Sequence, residues 1–243
     1  MTDLLELSGV GKAFGGVRAV DDCSFAVAEG TVTGLIGPNG SGKTTVFNIV
    51  TGYLRAEVGR VRFAGRDVTG HHPGRLYRHG LSRTFQQARV FPELTVRENL
   101  VVAGGYPWWQ LATPRVRRTD RARAGHLLEE FRLAALADLP AAELSYGQRK
   151  LLEFAAVLMS EPRLVLLDEP TAGVNPVMIE TMERHIRARH AAGITFLIVE
   201  HDMTFVMRLC DPVIALDAGR PIFQGTPAEV QGNPLVLDAY LGG

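Results

Sequence analysis

The stretch Gly37–Thr44, "GPNGSGKT", fits the pattern G-x-x-x-x-G-K-[ST], with a short apolar run before it and a breaker-free run after it. The chemistry this spacing suits is the gripping of a polyphosphate. Such an anion has to be surrounded by backbone N–H groups, which requires glycines that allow close approach and unusual torsions. Gly37, Pro38, Asn39, Gly40, Ser41 and Gly42 form the candidate cradle. Lys43 is expected to reach the β- and γ-phosphates, and Thr44 to place its hydroxyl on a magnesium ion. Thr45 adds a contact to the α-phosphate.

A second stretch, "RLVLLDEPT" at Arg163–Thr171, is an apolar strand ending in two adjacent carboxylates. A buried strand should not end that way unless something cationic or reactive waits there. Asp168 is placed to hold magnesium, directly or through water. Glu169 is placed to orient and deprotonate an attacking water. In "VEHD", Val199–Asp202, His201 stands at the end of the next apolar strand. In an open parallel sheet that edge is where ligands lie, so His201 is assigned a γ-phosphate contact. Gln86, in "RTFQQ", closes an expected strand Leu81–Phe85, where its amide can touch the magnesium or the water; Gln87 is the rival position.

The elements that must position these residues follow from pattern and punctuation. Leu4–Val10 and Ala19–Val27 read as strands of a small antiparallel sheet. Thr31–Ile36 is the strand feeding the cradle, and Thr44–Thr51 a helix ended near Gly52. Arg60–Phe63 is a further strand. From about Ala88 to Glu161 the pattern is mostly helical, with a loop at Gly104–Pro114. Strand and helix then alternate: Leu164–Leu167, about Pro176 to Ala192, Ile194–Val199, a helix from about Met203, and Val213–Leu216. Alternation of this kind argues for a parallel sheet with crossover helices. Near the end, Thr226, Pro227 and Glu229 read as a capping box.

Composition limits the partners. The chain has 243 residues, 46% of them apolar, which suits one large α/β domain or a core with a subdomain. Lys+Arg and Asp+Glu stand at 26 each, so no overall field draws it to nucleic acid or anionic lipid. Cys23 and Cys210 show no metal-ligand spacing, which suits a reduced, cytosolic protein. No apolar run approaches the ~20 residues needed to span a bilayer, and Met1–Asp3 opens without a signal-peptide pattern. Work at a membrane would require docking onto something that crosses it. Arg115, Arg117, Arg118, Arg121 and Arg123 read as a solvated helix face, with contact to lipid headgroups or a membrane partner as the other reading. Pro107–Trp109 is an exposed docking patch or packing within the helical region, and His71, His72 and His79 are surface residues without metal spacing.

These motifs together resemble the ATP-binding-cassette ATPases, over essentially the whole chain. The matching parts are Gly37–Thr44, Gln86, "LSYGQ" at Leu144–Gln148, "LVLLDEP" at Leu164–Pro170, and His201. The resemblance implies a P-loop NTPase (RecA-like) α/β core with a parallel sheet, an N-terminal antiparallel β subdomain and an inserted helical subdomain. Residues 1–87 and 162–243 would form the core and 88–161 the insertion. It implies ATP and Mg2+ as ligands, and adenine stacking on Phe14 in "KAFGG". It also gives a purpose to "LSYGQ", which on its own reads only as a capped helix start. Ser145, Gly147 and Gln148 would contact an ATP held by the Lys43 loop of a second cassette, a copy or a sister chain. The helix that follows points its N-terminus at that γ-phosphate and carries Leu151, Ala155 and Leu158 on one face, beside Leu152, Ala156 and Met159. Tyr146 stands where the family's signature most often has glycine, and Asn175 where many relatives carry an aspartate that couples the two sites.

More narrowly, "RTFQ", "LSYGQ", "DEPTAGVNP", "EHDM" and the ending "NPLVLDAYLG" resemble the ATPase subunits of branched-chain amino acid importers. That resemblance implies a peripheral subunit on the cytoplasmic face of the membrane, bound to transmembrane permease subunits and indirectly to a substrate-binding protein. A groove near Gln86–Glu93, with Phe91 as apolar anchor, would take a short permease helix. The alternative is a soluble cassette ATPase acting on DNA or ribosomes, against which stand the single cassette, the short insertion and the zero net charge. A small-molecule kinase would have no use for "LSYGQ".

Overall fold

The computed structural model describes residues 2–106 and 117–241. Two β-strands open the chain, β1 (Asp3–Phe14) and β2 (Val17–Ala28), joined by a turn at Gly15 and Gly16. Both turn glycines have positive φ, 54° and 89°, the torsions a two-residue hairpin needs. β1 is longer than its alternation suggests because an irregularity between Leu7 and Val10, at Gly9 with φ 59°, breaks the period without ending the strand. β4 (Val58–Phe63) pairs with β1 and the short β5 (Arg66–Asp67) with β4, giving an antiparallel sheet in the order β2-β1-β4-β5.

The second sheet has the order β10-β9-β3-β8-β7-β6. Its strands are β3 (Val32–Ile36), β6 (Leu81–Arg83), β7 (Leu164–Asp168), β8 (Thr195–Val199), β9 (Val213–Asp217) and β10 (Arg220–Gly225). All neighbours are parallel except β10, which is antiparallel to β9. β3, β7 and β8 are buried at every position, which is why they read as continuous apolar runs. Alternate residues feed two cores. Leu35, Leu164, Leu166, Leu197 and Ile214 pack with the antiparallel sheet and α1 (Lys43–Val50). Val165, Leu167, Phe196, Ile198 and Val213 pack against helices on the opposite face.

Those helices are α3 (Val96–Ala103), α4 (Arg118–Glu130), α5 (Tyr146–Leu158), α6 (Pro176–Ala191), α7 (Met203–Leu209), α8 (Pro227–Gln231) and α9 (Pro234–Leu241); α2 (Pro73–Arg78) precedes β6. Capping boxes start α3 at Thr95, α5 at Ser145 and α8 at Thr226. Pro227 lies in the first turn of α8, as the sequence predicts. α5 is buried on more than the one stripe its period shows. Glu153 and Phe154 are buried along with Leu151, Leu152, Ala155 and Leu158, because α5 lies between α3 and the β6 end of the sheet, with Phe154 edge-on to Phe131 and Phe196.

Several local readings change. The strand expected to run to Phe85 ends at Arg83, because the Phe85 amide bonds to the Glu153 carboxylate and not to β7. Of the three histidines only His72 is exposed, and it caps α2 by accepting the Gly74 amide on Nδ1. His71 and His79 are half-buried and stack on each other. Arg117, Arg118 and Arg121 are exposed, while Arg123 is half-buried, paired with Glu161 and bonded to the Leu158 carbonyl. Arg115 and Pro107–Trp109 lie outside the described residues. Cys23 and Cys210 are free and buried, and burial pushes both thiols up to about 12. No described helix is long and apolar enough to cross a membrane.

Candidate nucleotide site

The register of the parallel strands brings the candidate residues to one edge. Leu35 pairs with Val199, and Val199 with Asp168, so β3, β8 and β7 end level with one another. The loop after β3, the acid pair at the end of β7 and His201 after β8 therefore emerge side by side.

The cradle's shape depends on glycine. A Cβ on Gly37 would sit 2.1 Å from the Leu216 carbonyl oxygen, and one on Gly42 2.3 Å from that of Ala19. The inner side of the loop is thus pressed against backbone. Gly40, with φ 82°, faces open space on the other side. α1 starts at Gly42 with no side chain capping it, so its first amides are free to meet an anion. The Lys43 ammonium lies over the loop, donating to the Gly37 and Pro38 carbonyls at 2.8 Å each and to Ser41 Oγ at 3.4 Å. Burial lowers its pKa, with the Glu169 and Asp168 charges opposing that shift. Thr44 is exposed and Thr45 half-buried at the first turn of α1. Tyr240 of α9 reaches across to accept the Gly37 N–H at 2.8 Å.

Glu169 is the centre of a three-residue cluster. Its Oε2 accepts from Gln86 Nε2 and its Oε1 meets His201 Nε2, both at 2.7 Å. With the carboxylate ionised, the imidazole carries its proton on Nε2. Glu169 holds φ at 47°, unusual for a residue with a side chain, while its N–H bonds the Val199 carbonyl at 2.9 Å. That torsion turns the carboxylate toward His201 and Gln86 while the backbone stays tied to β8. Gln87 is exposed, and no hydrogen bond among those of the described residues joins it to this cluster.

Sequence reasoning missed two residues here. Arg83 forms an ion pair with Asp168 at 2.5 Å, with side chains only 5% and 6% exposed. It also donates to Asn48 Oδ1 at 2.7 Å and Thr51 Oγ1 at 3.1 Å. The demand for a cation opposite the acid pair was the available signal; the chain itself answers part of it, at the buried Asp168, from the neighbouring strand. Glu200 is buried and accepts the amides of Thr171 at 2.7 Å and His201 at 3.0 Å, joining the turns that carry Glu169 and His201. Nothing in a local pattern marks it.

The remaining candidates stand apart from the Glu169 cluster. Ser145 Oγ accepts the Gln148 amide at 3.3 Å, and Gln148 Oε1 accepts that of Ser145 at 2.9 Å, a local box at an exposed turn. Gly147 lies against Met178 of α6, where a Cβ would come within 3.1 Å of the methyl, and the Tyr146 ring lies over Gly173. Asn175 caps α6 by accepting the Met178 amide at 2.9 Å, a bond an aspartate could equally make. Phe14 is 47% exposed with the Lys12 ammonium 5.4 Å from its ring centre.

The residues fit a triphosphate and its metal. The loop offers amides, an uncapped helix start and an ammonium to the phosphates. Thr44, Asp168 and Gln86 offer hydroxyl, carboxylate and amide oxygens, the hard donors that suit magnesium.

Comparison with known proteins agrees with this geometry. The family model described as ABC transporter matches residues 20–172, and that described as branched-chain amino acid ATP-binding cassette transporter matches 220–243. The chain is 40% identical over 249 aligned residues to the high-affinity branched-chain amino acid transport ATP-binding protein BraF of Pseudomonas aeruginosa, covering 98% of each. It is 39% identical to the corresponding protein LivG of Salmonella typhimurium, again over 98% of each. Among solved structures, a nucleotide-free ATP-binding cassette from an ABC transporter superposes with a TM-score of 0.90 at 36% identity, over all of both chains. The ADP conformation of the cassette MJ1267 does so with 0.91 at 36%, also over all of both. None of these relatives supports action on nucleic acid or ribosomes. The chain belongs to the ABC transporter family, as one of its ATP-hydrolysing cassettes.

Proposed function

We propose that this chain drives import of branched-chain or related amino acids, docked through permease subunits at the cytoplasmic face of the membrane. The hydrolytic part of the reading rests on one observation, the Glu169 carboxylate held by Gln86 and His201 at 2.7 Å each. Once nucleotide binds, Glu169 acts as base toward a water, Gln86 marks the water's place, and His201 turns its Nε2–H from Glu169 to the γ-phosphate. Lys43 and the amides from Gly37 to Gly42 grip the phosphates, with Thr45 on the first of them. Phe14 offers an open ring face to adenine. Thr44, Asp168 and Gln86 would hold a magnesium ion, which when bound would supply positive charge to the phosphates. The choice of transported molecule rests on the names of the relatives and on the C-terminal family match.

Ser145, Gly147 and Gln148 serve the nucleotide of a second cassette, a copy or a sister chain. The exposure of Ser145 at the head of α5 supports that role. Residues 88–161 then move as a helical subdomain on a core of 1–87 and 162–243. Phe91, 55% exposed within the segment Gln86–Glu93, offers an apolar anchor to a short permease helix seated there. A substrate-binding protein delivers the amino acid to the permease.

The test is Glu169→Gln in the transporter purified with its partners. ATP binding is expected to persist, hydrolysis to fall by about 100-fold or more, and closed cassette dimers to accumulate. Hydrolysis at the parent rate removes Glu169 from the base role. Uptake of labelled leucine that persists without the chain removes the assigned cargo.

A further inference from the structure

α5 carries two charged side chains turned inward, Lys150 and Glu153, 3% and 4% exposed. Three positions apart on a helix, they share a face. Both are spent on backbone. Glu153 Oε1 accepts the amide of Phe85 at 3.0 Å and that of Arg89 at 3.2 Å. Lys150 Nζ donates to the Gln86 carbonyl at 2.5 Å and to the Phe85 carbonyl at 3.3 Å. The main chain is therefore gripped on both sides of Gln86, just where it has left β6 and has no strand partner. Burial pushes the Glu153 carboxyl up to about 7 and lowers the Lys150 ammonium, and Glu153 Oε2 is buried without a hydrogen-bond partner. An apolar pair would join α5 to this segment without that desolvation cost. What a carboxylate and an ammonium add is a fixed register between helix and backbone.

We propose that Glu153 and Lys150 are positioning residues for Gln86, clasping its backbone so that its amide stays on Glu169 and moves only with α5. The proposal rests on the reading of Gln86 as part of the hydrolytic cluster. Because Ser145 caps the same helix, the clasp makes Gln86 of a chain's own site and its serine-bearing turn two ends of one rigid piece. A shift at either end is transmitted to the other through α5.

The experiment is a double-mutant cycle on ATP turnover by the assembled transporter, using Glu153→Leu, Gln86→Ala and both together. Each single variant is expected to lower kcat by about tenfold, with the double no worse than Gln86→Ala alone. Affinity for a fluorescent ADP analogue, which a general loss of structure would lower, is expected to stay within about twofold. Glu153→Gln keeps the accepting oxygen and recovers most of the lost kcat. Losses that multiply to about a hundredfold in the double variant overturn the clasp, as does parent kcat in Glu153→Leu while Gln86→Ala is impaired. Parent kcat in Gln86→Ala overturns the reading of Gln86 as well. Should Glu153→Leu not fold, Lys150→Met replaces it in the same cycle with the same outcomes.

Discussion

Arg83→Met keeps most of the length and the apolar stem of the side chain and removes its charged fork. In the folded chain that fork bonds Asp168, Asn48 and Thr51 at 2.5, 2.7 and 3.1 Å. Replacing both members of a buried pair by apolar groups is often neutral, but removing one leaves the other charge buried and costs about 3–5 kcal/mol. Methionine can still pack between Phe47 and Phe85, whose ring centres lie 5.5 and 5.0 Å from the guanidinium carbon. Thr51 keeps its 2.6 Å bond to the Phe47 carbonyl. The lower end of the range, about 3 kcal/mol, is therefore expected, equivalent to a fall of about 6–12 °C in thermal midpoint for a chain of this size. Arg83→Lys should recover less than half, since one ammonium cannot satisfy three acceptors that a planar fork spans. The assay is urea unfolding followed by circular dichroism, without nucleotide. Adding Asp168→Asn to Arg83→Met should restore stability by removing the stranded charge. An Arg83→Met protein within about 1 kcal/mol of the parent, or a double variant less stable than Arg83→Met, refutes the argument.

Lys43→Ala is expected to weaken ATP binding itself, because the phosphates lose their nearest fixed cation; equal affinity in a fluorescent-nucleotide titration contradicts this. Glu153 gives a pH signature. Its carboxyl is raised from 4.5 to about 7 by burial, against the favourable charges of Lys150 and Arg89. The folded chain binds that proton more tightly than the unfolded one, so this group's contribution is present in full below pH 4.5 and is lost as pH rises through about 7. Glu153→Gln should flatten that part of the stability curve, and an unchanged slope in unfolding experiments argues otherwise. Phe91→Asp is expected to abolish transport while ATP hydrolysis by the cassette continues; unchanged uptake discards the permease seat.

The parts of the site legible in the sequence are those whose signals are local. Strand, glycine loop and helix follow one another from Val32 to Val50, and each announces itself by pattern. The Thr226 box lies within four residues. The missed parts are contacts between distant residues. Arg83 meets Asp168 across a separation of 85 positions and Glu153 meets Phe85 across 68. A one-sided helical stripe likewise could not reveal that α5 is enclosed on further faces, since periodicity reports a helix's own geometry and not what surrounds it. The premature end of β6 has the same origin: the residue that diverts the Phe85 amide belongs to a helix far along the chain.

β3 lies between β8 and β9, both encoded near the end of the chain. Synthesis proceeds from the N-terminus, so the five buried residues of Val32–Ile36 wait beside the emerging polypeptide without a neighbour until Thr195–Val199 has been made, and without their second until Val213–Asp217 follows. The β1–β2 hairpin can close at once; the strand that bears the phosphate loop cannot. A chain halted before β9 carries the loop's letters but not its form.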